Sequence, residues 1–281
     1  MPNATRTNGQ NLIKVAVFLP LYEKDSHLWF SDSLDSIFLQ LPIEPYEFHV
    51  YLGIDGPINS NHESVVTKFS DKIYCIVRSE KNNGLASNLN KLIDMLDDEV
   101  FIFRMDADDR SINERFRRQL EFFCCNPLVD IVGSSMVIID ENDNRINGLT
   151  SYPLEHEQII GYFPFGNPIA HPVVGMRRAV LEKLGGYRVN FFPEDLDLWY
   201  RAAAAGFRFA NIQEPLLEFR VAGEVAHKRG RSWAFREFKV NLHGLFHLNK
   251  LYMIGVPLMR LCVRLSPHFL INFLYKIRFR I

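Results

Sequence analysis

Two groups of acids in this chain have the spacing to do chemistry. The first is Asp106, Asp108 and Asp109 in FIFRMDADDRS, directly behind the apolar run 101–103. Carboxylates beside a core are costly unless hydrogen bonds or a cation compensate them, and clustered like charges raise one another's pKa. Acids at a strand-to-helix junction also serve as caps or as partners of the helix's positive end. Here Ser111 and Glu114 already spell the S-x-x-E capping box ahead of Phe116, Leu120 and Phe123. Three further acids exceed that need, and such hard oxygen ligands suit Mg²⁺ or Mn²⁺.

The second group is Glu194-Asp195 in FFPEDLDLWYRAAAAGF. It follows Pro193 and precedes a helical stripe of Leu196, Trp199, Tyr200 and Ala203 that Gly206 stops. Two readings fit: ordinary partners of the helix dipole, or a carboxylate general base facing a substrate hydroxyl. Periodicity does not separate them. His171 in NPIAHP and His227 beside Lys228 and Arg229 are open in the same way, between structural and ligand-binding roles.

The elements that must carry these acids alternate. Residues 15–19 and 48–54 read as strands, the second ending at Asp55-Gly56-Pro57, a strong turn signal. Between them Leu34, Ile37, Phe38 and Leu41 give a helical stripe. A short helix near 63–69 and a strand over 72–77 follow. Gly84 then opens a helix through Leu85, Leu89, Leu92, Ile93 and Leu96, and 100–103 is a strand apolar on both faces. This is the order of a doubly wound α/β domain, whose ligands bind at the carboxyl ends of the strands. The second half adds strands over 130–140 and 208–217 and helices over 178–184 and 195–205.

Bulk properties narrow the classes. The 281 residues suffice for one large α/β domain or two ordinary ones, and a net charge of −1 argues against a nucleic-acid binder. That average hides an acidic body, about −11 over residues 1–227, and a basic tail, about +10 over 228–281. Cys75, Cys124, Cys125 and Cys262 show no metal-ligand spacing, which points to a reduced, cytosolic setting. The polar start lacks a signal peptide's apolar stretch, and no run reaches the ~18 apolar residues of a membrane span. The tail interleaves aromatic, aliphatic and basic residues, in the manner of an amphipathic helix on an anionic membrane interface or of a helix packed on the body with its basic face in water.

Taken together, the stretches VAVFLPLYE, GIDGP, NNGLASNLNKLI, RMDADDRSINERFRRQLEFFCCNP, NPIAHPVVGMRRAVLEKLGGY and PEDLDLWYRAAAAGFRFANIQEPLLEFR resemble, in order, the motifs of the family 2 glycosyltransferases. The likeness runs from about 14 to 221 and is nearest the exopolysaccharide, amylovoran-type members. It implies a GT-A fold: an α/β domain with a Rossmann-like, mostly parallel sheet flanked by helices and followed by a helical basic tail. Residues 1–227 would be that domain, with a nucleotide-sugar half over about 12–110 and an acceptor half over about 111–227. Residues 228–281 would be the basic amphipathic segment.

The resemblance also implies roles. Pro20, Tyr22, Glu23, Asp55, Asn82, Gly84, Asn90, Arg104 and Asp106 would bind the nucleotide-sugar. Asp106, Asp108 and His227 would hold Mn²⁺ or Mg²⁺, with Asp109 in support. Asp195 would be the general base, with Glu194 assisting, and Asn167, His171 and Trp199 would lie on the acceptor side. Glu23, Ile54 and Leu89 depart from the family's usual Asn, Asp and Arg. The processive Gln-x-x-Arg-Trp signature is replaced by VAGEVAHKRGRSW, which implies one sugar per acceptor. The implied activity is inverting, metal-dependent transfer from a UDP-sugar to a saccharide or lipid-linked acceptor in surface polysaccharide biosynthesis. It would take place in the cytoplasm, on the membrane's cytoplasmic face.

Two rivals remain. A sugar nucleotidyltransferase would carry a Gly-rich pyrophosphate loop where this chain reads LPLYEKD, and a non-catalytic membrane-binding module would leave both acid groups without a purpose.

Overall fold

The structure is a computed structural model that describes residues 12–112, 114–221 and 231–266. In β1 (Ile13–Leu21), Val15, Val17 and Leu19 enter one buried cluster while Ala16 and Phe18 enter another. A strand covered on both faces requires that split, because successive side chains point to opposite sides. β2 (Tyr46–Asp55), β3 (Cys75–Ser79) and β4 (Phe101–Arg104) run parallel to β1 in the order β3-β2-β1-β4. The chain moves outward from β1 to β3 and then returns to β1's other side for β4. Such a reversal opens a crevice at the carboxyl ends of the strands.

Helices cover both faces. α1 (His27–Phe38) and α2 (Ser60–Lys68) pack against the first cluster through Phe30, Leu34, Ile37, Val65 and Val66. α3 (Leu85–Ile93) covers the other face with Ala86, Leu89 and Leu92. Its expected stripe is present, but the helix ends before Leu96.

Beyond β4 the sheet becomes mixed. Among the described residues it has nine strands. β5 (Arg110–Ser111), β6 (Ile131–Ile139), β8 (Gly175–Arg177) and β9 (Phe209–Arg220) extend it in the order β4-β8-β6-β9-β5, and β7 (Arg145–Leu149) pairs with β6. β6 and β9 run parallel, while β8 is antiparallel to both of its neighbours. The parallel pairs carry most of the register, so the expected mostly parallel sheet is what the chain forms. β5, β7 and β8 and the helix α5 (His156–Tyr162) have too few residues to leave a periodic signal.

The helix α4 (Arg115–Cys125) corrects the expected capping box. Ser111 is drawn into β5, where it pairs with Leu217 of β9. Glu114 itself takes the N-cap position with φ 68° and no side-chain cap bond. The preceding aspartates do not cap α4 either, so their presence needs another cause.

α6 (Arg178–Leu184) and α7 (Glu194–Ala204) complete the body, and the tail folds onto it. α8 (Arg231–His247) lays Gly244 against the ring of Tyr200 in α7, whose hydroxyl donates to Asn241 Oδ1 at 2.9 Å. α9 (Gly255–Leu265) is tied to α8 by Arg260 and Arg264, which both donate to Glu237. Among the described residues no helix is long and apolar enough to cross a membrane.

A Cβ on Gly244 would collide with the Tyr200 ring. Overpacking of this kind costs about 1–3 kcal/mol. Gly244→Val is therefore expected to lower the urea midpoint by that equivalent, while Gly161→Ala, which meets nothing within 4 Å, shows no steric loss.

Candidate active site

The acid turn sits where the sheet opens. β4 ends at Arg104, the chain turns through Asp106 to Asp109, and β5 leads it away along β9. Several contacts fix the turn. The Asp109 N–H donates to the Asp106 carbonyl, and Ser33 Oγ of α1 donates to the same carbonyl at 3.1 Å. From β9, the Arg220 N–H donates to Asp109 Oδ1 at 2.9 Å and its Nε to the Asp108 carbonyl at 3.0 Å. Arg220 also lies 4.8 Å from the centre of the Trp29 ring. This fastening was not legible in the sequence, because Arg220 is remote from the turn until β9 is paired.

Carboxylate oxygens of Asp106, Asp108 and Asp109 lie within 4.8 Å of one another. Burial pushes the Asp108 carboxyl up to about 6, with the Asp106 charge adding to it. Burial and the same neighbours push Asp109 well above its ordinary value. Asp109 Oδ2 is buried without a hydrogen-bond partner. A set of close, hard oxygens with one orphaned buried atom fits a divalent cation such as Mg²⁺ or Mn²⁺. Both Asp106 oxygens are already gripped by Arg104, through Nη1 at 2.7 Å and through Nη2. Asp108 is the freest of the three to ligate. His227 lies outside the described residues.

A cavity of about 260 Å³ opens against this turn. It is lined by Pro20 and Tyr22 from the end of β1, Asp55 from the end of β2, Asn82 and Gly84 from the α3 entry, and Asp106 and Asp108. Six of the residues expected to bind the nucleotide-sugar, and Asp108 expected at the metal, thus share one cavity. Asp55 has a positioning task as well, since its oxygens accept the Asn83 and Gly84 N–H groups at 2.9 and 2.8 Å. Gly84 takes φ 87° there, a conformation that favours glycine.

Other expected residues are placed elsewhere. Glu23 is exposed and does not line the cavity; Asp25 does, because the turn from Tyr22 folds it back so that its Oδ2 accepts the Tyr22 N–H at 3.0 Å. Burial, with Asp108 and Asp106 nearby, pushes Asp25 up to about 7. The Asp25-Ser26 step after Tyr22 is the sequence signal for that turn. Asn90 turns to the other side and clamps the backbone of Tyr187 with both amide atoms at 2.8 Å. Arg104 is 3% exposed and bonded to Asp106, so it holds that carboxyl and does not line the cavity.

Glu194 and Asp195 begin α7 and face a second cavity, of about 280 Å³, with Asn167 and Trp233. Asp195 Oδ1 accepts the Leu196 N–H at 2.8 Å, and Oδ2 accepts Asn167 Nδ2 at 2.5 Å. Asn167 therefore aims Asp195. Burial raises both acids, Glu194 to about 7 with the Asp195 charge adding to it. Arg104 opposes that rise in both, and Asp106 contributes to it in Glu194, so the two acid groups share one electrostatic field. Two residues expected on the acceptor side are corrected. Trp199 is fully buried in the core and His171 is 6% exposed, bonded through Nε2 to the Tyr187 hydroxyl at 2.9 Å. Burial and Arg104 push His171 well below its ordinary value, so it is a neutral packing residue.

Comparison with known proteins follows this geometry. The glycosyl transferase family 2 profile matches residues 17–185. The amylovoran biosynthesis glycosyltransferase AmsE of Erwinia amylovora is 28% identical over 93% of this chain and 97% of its own. The UDP-Gal:alpha-D-GlcNAc-diphosphoundecaprenol beta-1,3-galactosyltransferase of Escherichia coli is 29% identical over 94% and 95%. Among solved structures, S. aureus TarS 1-349 in complex with UDP-GlcNAc superposes with a TM-score of 0.67 at 15% identity, over 88% of this chain and 72% of that one. That likeness shows the fold.

The raised acids carry a stability consequence. Asp108 and Asp25 have folded-state values, about 6 and about 7, above an unfolded carboxyl. The folded chain binds more protons between those limits, so cation-free stability falls as pH rises from about 4 to 7. Asp108→Asn is expected to raise the cation-free melting temperature at pH 7.5 and to change it little at pH 4.5. A thermal-melt series at both pH values checks this.

Proposed function

The chain belongs to glycosyl transferase family 2, and from that membership we propose that it moves one sugar from a UDP-sugar to a saccharide or lipid-linked acceptor in surface polysaccharide biosynthesis, inverting the anomeric centre. The observation that carries this reading is the shared field of the two cavities. Arg104 grips Asp106 in the first, and its charge acts on Asp195 and Glu194 in the second. A donor bound at the acid turn would thus present its anomeric carbon to a hydroxyl held by α7. The relatives' printed names support the substrate classes: a diphosphoundecaprenol acceptor in the E. coli enzyme and an amylovoran product in the Erwinia one.

The chain's own groups divide the work. Tyr22, Asp55 and Asn82 line the cavity that would take the nucleotide, and the α3 entry closes it. Asp108, with Asp106 and Asp109, would hold Mn²⁺ or Mg²⁺. The ion, when bound, would offset negative charge on the departing diphosphate. Asp195, fixed by Asn167 and the Leu196 N–H, would take the acceptor's hydroxyl proton, and Glu194 would orient the acceptor. A base must be ionised to act; burial raises the Asp195 carboxyl and pushes Glu194 up to about 7.

General-base help contributes about 10²–10⁴-fold. Asp195→Asn should lose that much transfer while binding donor as wild type does, with titration calorimetry and radiolabel transfer as the two readouts. Normal turnover would refute the base assignment. Wild-type transfer should also decline as pH falls below that of Glu194's value, about 7.

We place the enzyme peripherally on the membrane's cytoplasmic face through its tail. Supporting this, Phe246, Tyr252 and Met259 are 62%, 81% and 61% exposed, and the tail is basic. Each basic residue near an anionic surface contributes about 1 kcal/mol. The triple change Phe246→Ser, Tyr252→Ser, Met259→Ser should weaken sedimentation with anionic vesicles while leaving donor binding intact. Unchanged sedimentation would remove the tail from that role.

A further inference from the structure

The cavity that holds Glu194 and Asp195 also has cationic lining residues. Asn167, Glu194 and Asp195 line it together with Trp233 of α8 and Arg260 and Arg264 of α9. Arg264 lies 4.5 Å from the centre of the Trp233 ring. Arg260 donates to Glu237 Oε1 at 2.7 Å and Arg264 donates to Oε2. One carboxylate thus balances two guanidiniums and leaves a positive charge over. Glu237 is 7% exposed, whereas the arginine side chains keep 25% and 33% of their surface.

Two forked guanidiniums held ready by a buried acid match phosphate geometry. A neutral sugar has no use for that charge. Arg104 is the cation that acts most on Glu194 and Asp195, and the α9 pair adds further positive charge to the lining of the same cavity. We infer that Arg260 and Arg264 form an anion subsite that receives a phosphate or diphosphate attached to the acceptor sugar. This rests on the reading of the Asp195 cavity as the acceptor site, and it makes the two tail arginines specificity-determining residues. The basic tail then selects the acceptor as well as covering the body.

The test reads binding in the presence of chelator and without donor, so a wrong base assignment leaves it unaffected. Three probes are titrated by calorimetry: decyl diphospho-N-acetylglucosamine, decyl N-acetylglucosaminide and inorganic pyrophosphate. A charge-assisted hydrogen bond contributes about 1.5–3 kcal/mol, so wild type should prefer the diphospho compound over the glycoside by roughly 10- to 100-fold. Arg260→Ala with Arg264→Ala should abolish that preference and leave glycoside affinity unchanged. Because that double change also breaks the α8–α9 tie, Glu237→Gln serves as the second variant: it frees both arginines and should keep or strengthen the preference. Competition by pyrophosphate would identify the free anion as sufficient, and its failure to compete would assign the subsite to a lipid-linked diphosphate. Equal wild-type affinity for the diphospho compound and the glycoside, or equal losses for both in the arginine variant, would overturn the proposal and leave the pair a structural clamp.

Discussion

A single buried guanidinium holds the two halves of the site in one arrangement. Arg104 closes the end of β4, takes Asp106 with both arms, and gives its own carbonyl to Arg115 Nη2 at 2.6 Å. Without it, Asp106 would lose the guanidinium that pairs both its oxygens, and the acid turn would be left with Arg220 and Arg115 alone. Burial works to lower the pKa of Arg104, but Asp106, Tyr187 and Asp109 more than offset that and raise it. Burial pushes Arg115, one layer down, to about 9. The protein thus carries positive charge inward so that negative charge can stand at the rim, an arrangement that charged groups rarely tolerate without close pairing. Stability is given up locally for a place where a cation and a diphosphate would be welcome.

Much of this was legible in the chain. The strand pattern of 15–19, the turn at Asp55-Gly56 and the stripe from Leu85 each reflect one local period, and the fold follows from them. Asp106 and Asp108 stand out because their clustering is visible at short range. Arg115 and Arg220 do not, since each acquires its task only when separate elements meet, and Asp25, though folded back by a local turn, meets the acid turn only in the assembled sheet. Arg104 and Asn90 show the converse error. They stand in motif segments but turn away from the cavity, because a β-strand alternates its faces and a helix presents only one. Trp199 fell to the same cause, its helical stripe pointing into the core and not to the acceptor.

The rivals weighed from the sequence fare poorly against the geometry. A nucleotidyltransferase needs a glycine-rich cradle after the first strand, whereas here β1 runs into Pro20, Leu21 and Tyr22 and a turn closed by Asp25. A passive membrane module would have no reason to aim Asp195 with Asn167 or to bury the acid turn beside Arg104. The tail helix α8, which such a module would need free, is packed on α7 through Gly244 and Tyr200.

The fastening of the acid turn by β9 has a consequence for how the protein comes into being. Asp109 is secured by the backbone of a residue that is synthesised 111 positions later. While a nascent polypeptide is still emerging from the ribosome, the early strands can assemble, yet their rim of acids has no anchor. Anchoring of the acid turn therefore waits until β9 has emerged and paired with β5.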